Sequence, residues 1–112
     1  MLAPRANYCA LFLIATALPC IGEEGVAARY GRESGNRVAC GGELNEGALT
    51  AAHKTLPCGT RVRVTNKRNG QSVVVTVNDR GPYNRGRVID LMPAAARAIG
   101  LNGLASVSLT RE

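Results

Sequence analysis

Apolar and polar positions alternate with a period of two over Arg61-Val62-Arg63-Val64-Thr65, and a valine-rich stretch follows from Ser72 to Asn78. Successive side chains of a strand point to opposite faces, so these patterns predict two half-buried β-strands. Asn69-Gly70 lies between them and tolerates positive φ at both positions, which predicts a type I′ turn and a hairpin over residues 61–78. Asp79-Arg80-Gly81-Pro82-Tyr83 then reads as a turn, because Pro82 has no amide hydrogen to give a ladder. Arg87 to Leu91 is a further short strand. Pro93 to Ile99 is a short helix with proline at its first position and Gly100 as its stop, and Ala105 to Thr110 alternates again as a last strand. Upstream the chain is glycine-rich and polar from Glu23 to Gly42, with Ala27–Tyr30 and Arg37–Cys40 its only strand-like pieces. Short strands with one or two small helices predict a mainly β fold, a small barrel carrying helical crossovers.

The beginning of the chain follows a different pattern. Arg5 precedes an apolar stretch from Tyr8 to Leu18, then Pro19-Cys20-Ile21-Gly22 and the acidic pair Glu23-Glu24. A basic start, a short apolar run and small residues before a polar boundary are the marks of a secretory signal, expected over residues 1–22 with cleavage after Gly22. The domain proper is then 23–112, exported to the periplasm or cell envelope, with no stable membrane insertion after cleavage. Pro19 directly before Cys20 argues against lipid attachment there. Loss of the leader also removes Cys9 and Cys20, leaving Cys40 and Cys58. In an oxidising compartment these two are expected to form a disulfide, with two buried thiols as the alternative.

Composition narrows the chemistry. The 112 residues suffice for one domain, and no apolar run approaches the ~20 residues that span a bilayer. Net charge is +6, or +5 once Arg5 leaves with the leader, which suits an anionic partner. Basic residues form no run of four and no aromatic residue interleaves with them, so nucleic acid is not an expected partner. One histidine with scattered carboxylates lacks ligand spacing, and neither a metal nor another cofactor is expected. Strand parity singles out Asp79. If Val73, Val75 and Val77 face the barrel interior, Asp79 shares that face, and partial desolvation would favour its neutral form and suit it to general acid work. The alternative is that Asp79 only accepts hydrogen bonds from the turn that follows. His53, the sole histidine, sits among small residues and reads either as structural or as an exposed, positioned imidazole. Asp90, just ahead of the helix, reads as structural.

Four blocks, Leu49 to Pro57, Arg61 to Asn66, Asn78 to Tyr83 and Arg87 to Leu91, resemble in order and spacing the rare lipoprotein A (RlpA-like) family. The resemblance runs from about Tyr30 to Leu109 and implies a six-stranded double-psi β-barrel, as in expansins and barwin-like proteins. It also implies a lytic transglycosylase acting on peptidoglycan glycan strands, with the family's catalytic Asp at Asp79 and its His at His53. Such an enzyme cuts the MurNAc to GlcNAc β-1,4 link by attack of the MurNAc 6-hydroxyl on its own anomeric carbon. Asn45, Glu43, Arg80 and Tyr83 are the expected substrate contacts, and arginines 61, 63, 80, 85 and 87 a cationic rim for stem-peptide carboxylates. Two positions depart from the family: Asn45 stands at its second Asp and Gly42 at a cleft Glu, with Glu43 and Glu46 each one residue off. Asn45 can orient a sugar but cannot move a proton. The alternative function is a non-catalytic peptidoglycan-binding or expansin-like wall-loosening module.

Overall fold

The computed structural model describes residues 22–112. The segment read as an export signal therefore lies outside the described residues, except for Gly22. Six strands form the fold: β1 (Gly22–Arg29), β2 (Thr50–Ala52), β3 (Arg61–Asn66), β4 (Ser72–Asp79), β5 (Arg87–Leu91) and β6 (Ala105–Arg111), with helix α1 (Pro93–Ala98) and a single 3-10 turn at Arg32–Ser34. They close into a barrel in the order β1-β5-β2-β4-β3-β6. β1/β5 and β2/β4 pair in parallel, and the other four pairs are antiparallel. Closure leaves no edge strand exposed.

The hairpin forms where the alternation predicts it, with Val62 opposite Val75 and Val64 opposite Val73. Its turn is longer than a type I′ turn. Asn66 still bonds through its amide to Gln71 O at 2.8 Å, so four residues make the loop, and only Gly70, at φ 77°, takes the left-handed conformation. The reason lies in Asn66, which is 1% exposed. Its side chain donates to Ile99 O at 2.8 Å and accepts from the Arg68 amide at 3.0 Å, using the loop to reach the end of α1.

β1 begins five residues before the expected Ala27, since its polar start is held by β6, with Gly22 opposite Thr110 and Ala27 opposite Ala105. Arg37–Cys40 does not form a strand; it contributes one isolated bridge, Arg37 to Glu43. β2 carries no alternation and has only three residues. Its backbone is claimed from both sides, by β4 and by β5.

Two apolar clusters result. The first fills the barrel with Val62, Val64, Val75, Val77, Ile89, Leu91, Val107 and Leu109, and packs it against Ala95, Ala96 and Ile99 of α1. The second lies outside the barrel wall and joins Tyr30, Val38, Leu44, Ala52 and Met92. It pins the 36–44 loop over β2, which decides where the polar groups of the wall end up.

Candidate active site

β5 supplies the first carboxylate. Ile89 and Leu91 are fully buried in the barrel cluster, so Asp90 between them turns to the outer face. β2 repeats this division: Ala51 belongs to the barrel cluster and Ala52 to the outer one. Ala52 is the register partner of Asp90 on one side and of Asp79 on the other. Asp79, Ala52 and Asp90 thus form a row across three adjacent strands, the acids two strand spacings apart, about 9.5 Å between backbones. A methyl group forms the floor between them.

Asp79 does not reach this face by simple parity. The β2/β4 register slips between Ala51 and Ala52, whose partners are Val77 and Asp79, so Asn78 is an extra residue. The bulge reverses the alternation that runs through Val75 and Val77 and removes Asp79 from the barrel interior. Its carboxylate accepts from the Ala39 amide at 2.7 Å, from the Arg80 amide at 2.9 Å and from the Tyr30 hydroxyl at 3.2 Å. The expectation that Asp79 shares the barrel's inner face is therefore corrected, because the bulge delivers the group to a set of donors on the outer face.

A second carboxyl stands at the position first read as structural. Asp90 is half-buried, its Oδ1 is out of reach of solvent, and that oxygen has no hydrogen-bond partner among the described residues. Burial pushes its carboxyl above the ordinary carboxylate range; Arg87 pulls it down in part and the Asp79 charge adds to the rise. Tyr30 stands beside the pair, and burial followed by the Asp79 charge pushes its phenol up, so it remains a donor throughout the physiological range. No sequence pattern marks Asp90, since its distinction comes from Ala28 and Ala52, the small residues in register on either side.

His53 is buried, so of its two expected settings the exposed imidazole is the one corrected. It is only 5% exposed, covered by the loop that follows it and by Glu23. Its Nδ1 accepts the amides of Thr55 and Leu56, both at 3.2 Å, which leaves Nε2 to carry the hydrogen and donate to Glu23 Oε1 at 2.9 Å. The ring shares no partner with the Asp79 carboxylate. It borders a cavity of about 280 Å³ lined also by Gly22, Leu56, Val62, Leu109 and Arg111, at an end of the barrel. Only the backbone joins the two residues, the His53 amide donating to Asp79 O at 3.1 Å.

The remaining expected contacts divide. Arg80 turns inward, where its guanidinium donates to His53 O at 2.8 Å and approaches Cys58 Sγ at 3.6 Å. Asn45 closes its own turn by accepting the Gly47 amide at 2.9 Å. Glu43 is exposed, and Glu46 accepts the Arg32 amide at 2.8 Å. Of the five rim arginines, Arg63 pairs with Glu112 at 3.2 Å and Arg87 bonds Asn84, while Arg61 and Arg85 are exposed. Tyr83 is 76% exposed, with its ring against Gly81. Cys40 and Cys58 are joined as a disulfide across 18 residues.

This barrel, with its carboxylate-bearing wall, matches the family described as lytic transglycolase over residues 22–109. The chain belongs to that family. Relatives named probable endolytic peptidoglycan transglycosylase RlpA, from Synechocystis sp., and endolytic peptidoglycan transglycosylase RlpA, from Pasteurella multocida, are 60% and 52% identical to it. The first match covers 76% of this chain and 27% of the relative, the second 71% and 28%. The chain thus spans about a quarter of the length of these curated relatives. Among solved structures it is similar to the expansin of Clavibacter michiganensis, at TM-score 0.64 and 26% identity over 82% of this chain and 50% of the other. A Streptomyces papain inhibitor is similar at TM-score 0.63 and 25% identity, over 81% and 94%. Both the family and the neighbours agree with the double-psi barrel expected from the sequence.

Proposed function

We propose that the protein is an exported lytic transglycosylase that cleaves the β-1,4 link between MurNAc and GlcNAc in peptidoglycan, in the periplasm or cell envelope. The observation that carries this reading is the row Asp79-Ala52-Asp90 on the outer wall, which supports two carboxyls in opposite surroundings, one held by three donors and one with a buried oxygen that has none. The relatives named peptidoglycan transglycosylases support the substrate class. In the proposed reaction the bond from C1 of MurNAc to the leaving O4 breaks as Asp90 gives its proton to O4. The MurNAc 6-hydroxyl closes on C1, its proton passes to Asp79, and the product is the 1,6-anhydro sugar. The Asp79 charge also stabilises the oxocarbenium-like state between the two events. Proton return from Asp79 to Asp90 through solvent resets the pair.

In this proposal Tyr30 orients Asp79, Tyr83 gives a sugar ring an apolar platform, and His53 is a positioning residue. Its buried ring fixes the 53–56 turn, whose backbone holds Asp79 O and the Arg80 guanidinium. Incubation of the protein with purified sacculi, followed by mass spectrometry, should release anhydromuropeptides; Asp90→Asn and Asp79→Asn should each stop the release with the fold kept. Absence of product at high protein concentration overturns the reading. Asn45, spent on its own turn, favours a second reading as a wall-binding module without catalysis. Sacculus pull-down that survives Asp79→Asn, without released fragments, would support that module.

A further inference from the structure

The shortest hydrogen bond to Asp79 comes from a loop outside the barrel cluster. The Ala39 amide lies 2.7 Å from Asp79 Oδ1, and the next amide, that of Cys40, donates to Asn78 O at 3.1 Å. Within the loop one bridge pair, Arg37 with Glu43, is joined by backbone bonds from Val38 to Gly42 O, Gly41 to Val38 O and Leu44 to Asn36 O, and Gly41 and Gly42 both take left-handed φ, at 100° and 96°. Val38 and Leu44 seat it in the outer cluster, and the only covalent tie is the bond from Cys40 to Cys58. Cys58 is exposed, next in space to the Arg80 guanidinium, and Arg80 is the residue after Asp79. The sulfur bridge therefore ties down the loop that carries the Ala39 amide, while the second amide on the Asp79 carboxylate, that of Arg80, comes from the residue next to it in the chain.

We propose that the Cys40–Cys58 disulfide is a positioning element for Asp79, and that its reduction releases the Ala39 amide and switches the site off while the barrel stays folded. The inference deepens the transglycosylase reading and rests on it for its effect on turnover. The reductant is a dithiol. One of its thiolates attacks the exposed Cys58 sulfur and expels the Cys40 thiolate, forming a mixed disulfide at Cys58. The second thiol of the reductant then closes its own disulfide and expels the Cys58 thiolate, which the Arg80 guanidinium stabilises. The dithiol is oxidised by two electrons and the protein gains two thiols. Oxidation reverses the switch.

The barrel has its own support, because its apolar cluster includes no residue of the 36–44 loop. The loop relies on Val38 and Leu44, on its own short backbone bonds and on the crosslink. Without the crosslink Gly41 and Gly42 regain conformational freedom beside Cys40, and the charge-assisted bond from the Ala39 amide competes with that entropy.

The test uses amide hydrogen exchange by NMR and turnover on soluble glycan strands, each on oxidised protein and on protein reduced with dithiothreitol. In the oxidised form the Ala39 amide should be protected. Reduction should abolish that protection, leave the amides of β3, β4 and β6 protected, and lower kcat about tenfold or more with KM within about twofold. Reoxidation should restore both. Ala39→Pro deletes the donor with the disulfide intact; it should match the reduced protein and lose nothing further on reduction. Unchanged Ala39 protection and turnover after reduction would overturn the proposal, as would loss of protection throughout the barrel or a further fall in the reduced Ala39→Pro protein. Exchange at Ala39 does not depend on turnover, so an oxidised protein that protects Ala39 but releases no product rejects the transglycosylase reading and leaves the clamp standing.

Discussion

A single methyl group, that of Ala52, separates two carboxyls whose surroundings are opposite. Asp79 receives three donors, while Asp90 has a buried oxygen that receives none. Folding therefore favours the protonated form of Asp90, whose carboxyl is raised from an ordinary value of 3.8. The stability that Asp90 permits is full below the unfolded value and falls as pH rises through the folded one. Asp90→Asn should remove that fall, so urea denaturation at pH 8 should find the variant more stable than the parent, with the gap closing toward pH 3. The same change should lower anhydromuropeptide release by about 10²–10⁴-fold, the usual contribution of a general acid. A variant both less stable and fully active would refute the assignment. Tyr30→Phe deletes one neutral donor and should cost about 1 kcal/mol of stability with a kcat loss of a few-fold, read by thermal melting and product release.

Among the elements, the hairpin and α1 show how far a local pattern reaches. Val62, Val64, Val75 and Val77 alternate because one face of each strand is buried, and Pro93 and Gly100 bracket a helix whose ends need those two residues. Asn66 adds what the pattern omits, a buried amide that ties the hairpin loop to Ile99. Asn66→Leu leaves the Arg68 amide without its partner and the Ile99 carbonyl with the Asn69 side chain alone, and should cost about 1–3 kcal/mol, measured by urea unfolding. β2 was not legible because three residues, two of them alanine, carry no periodicity. Their strand character comes from β4 and β5, which lie more than twenty residues away in sequence. The Asn78 bulge was hidden for the same reason: an extra residue exists only relative to a partner strand.

For the whole molecule, the balance between barrel and loops governs stability and reactivity. The barrel draws its stability from one continuous apolar cluster, while the loop segments 36–44 and 53–60 are joined by the disulfide. In the chain-entropy model a crosslink closing 18 residues contributes about 3 kcal/mol. Replacement of both cysteines by alanine should lower the free energy of unfolding by that amount without changing the far-ultraviolet circular dichroism of the native state. A loss of native signal at room temperature would show instead that the barrel depends on the crosslink.

From the order of residues alone came the mainly β class, the hairpin, the helix with its stop, the pairing of Cys40 with Cys58 and a resemblance that named the family. These depend on local periodicity, turn chemistry and short motifs, all of which are written along one stretch of chain. Which carboxyl meets three donors and which has a buried oxygen without a partner was decided only by the closed barrel. Burial and donors that reach across space are set at Asp79 and Asp90 by partner strands and by a loop forty residues distant. His53 was legible as singular, yet its burial against Glu23 required β1 to close the barrel beside it.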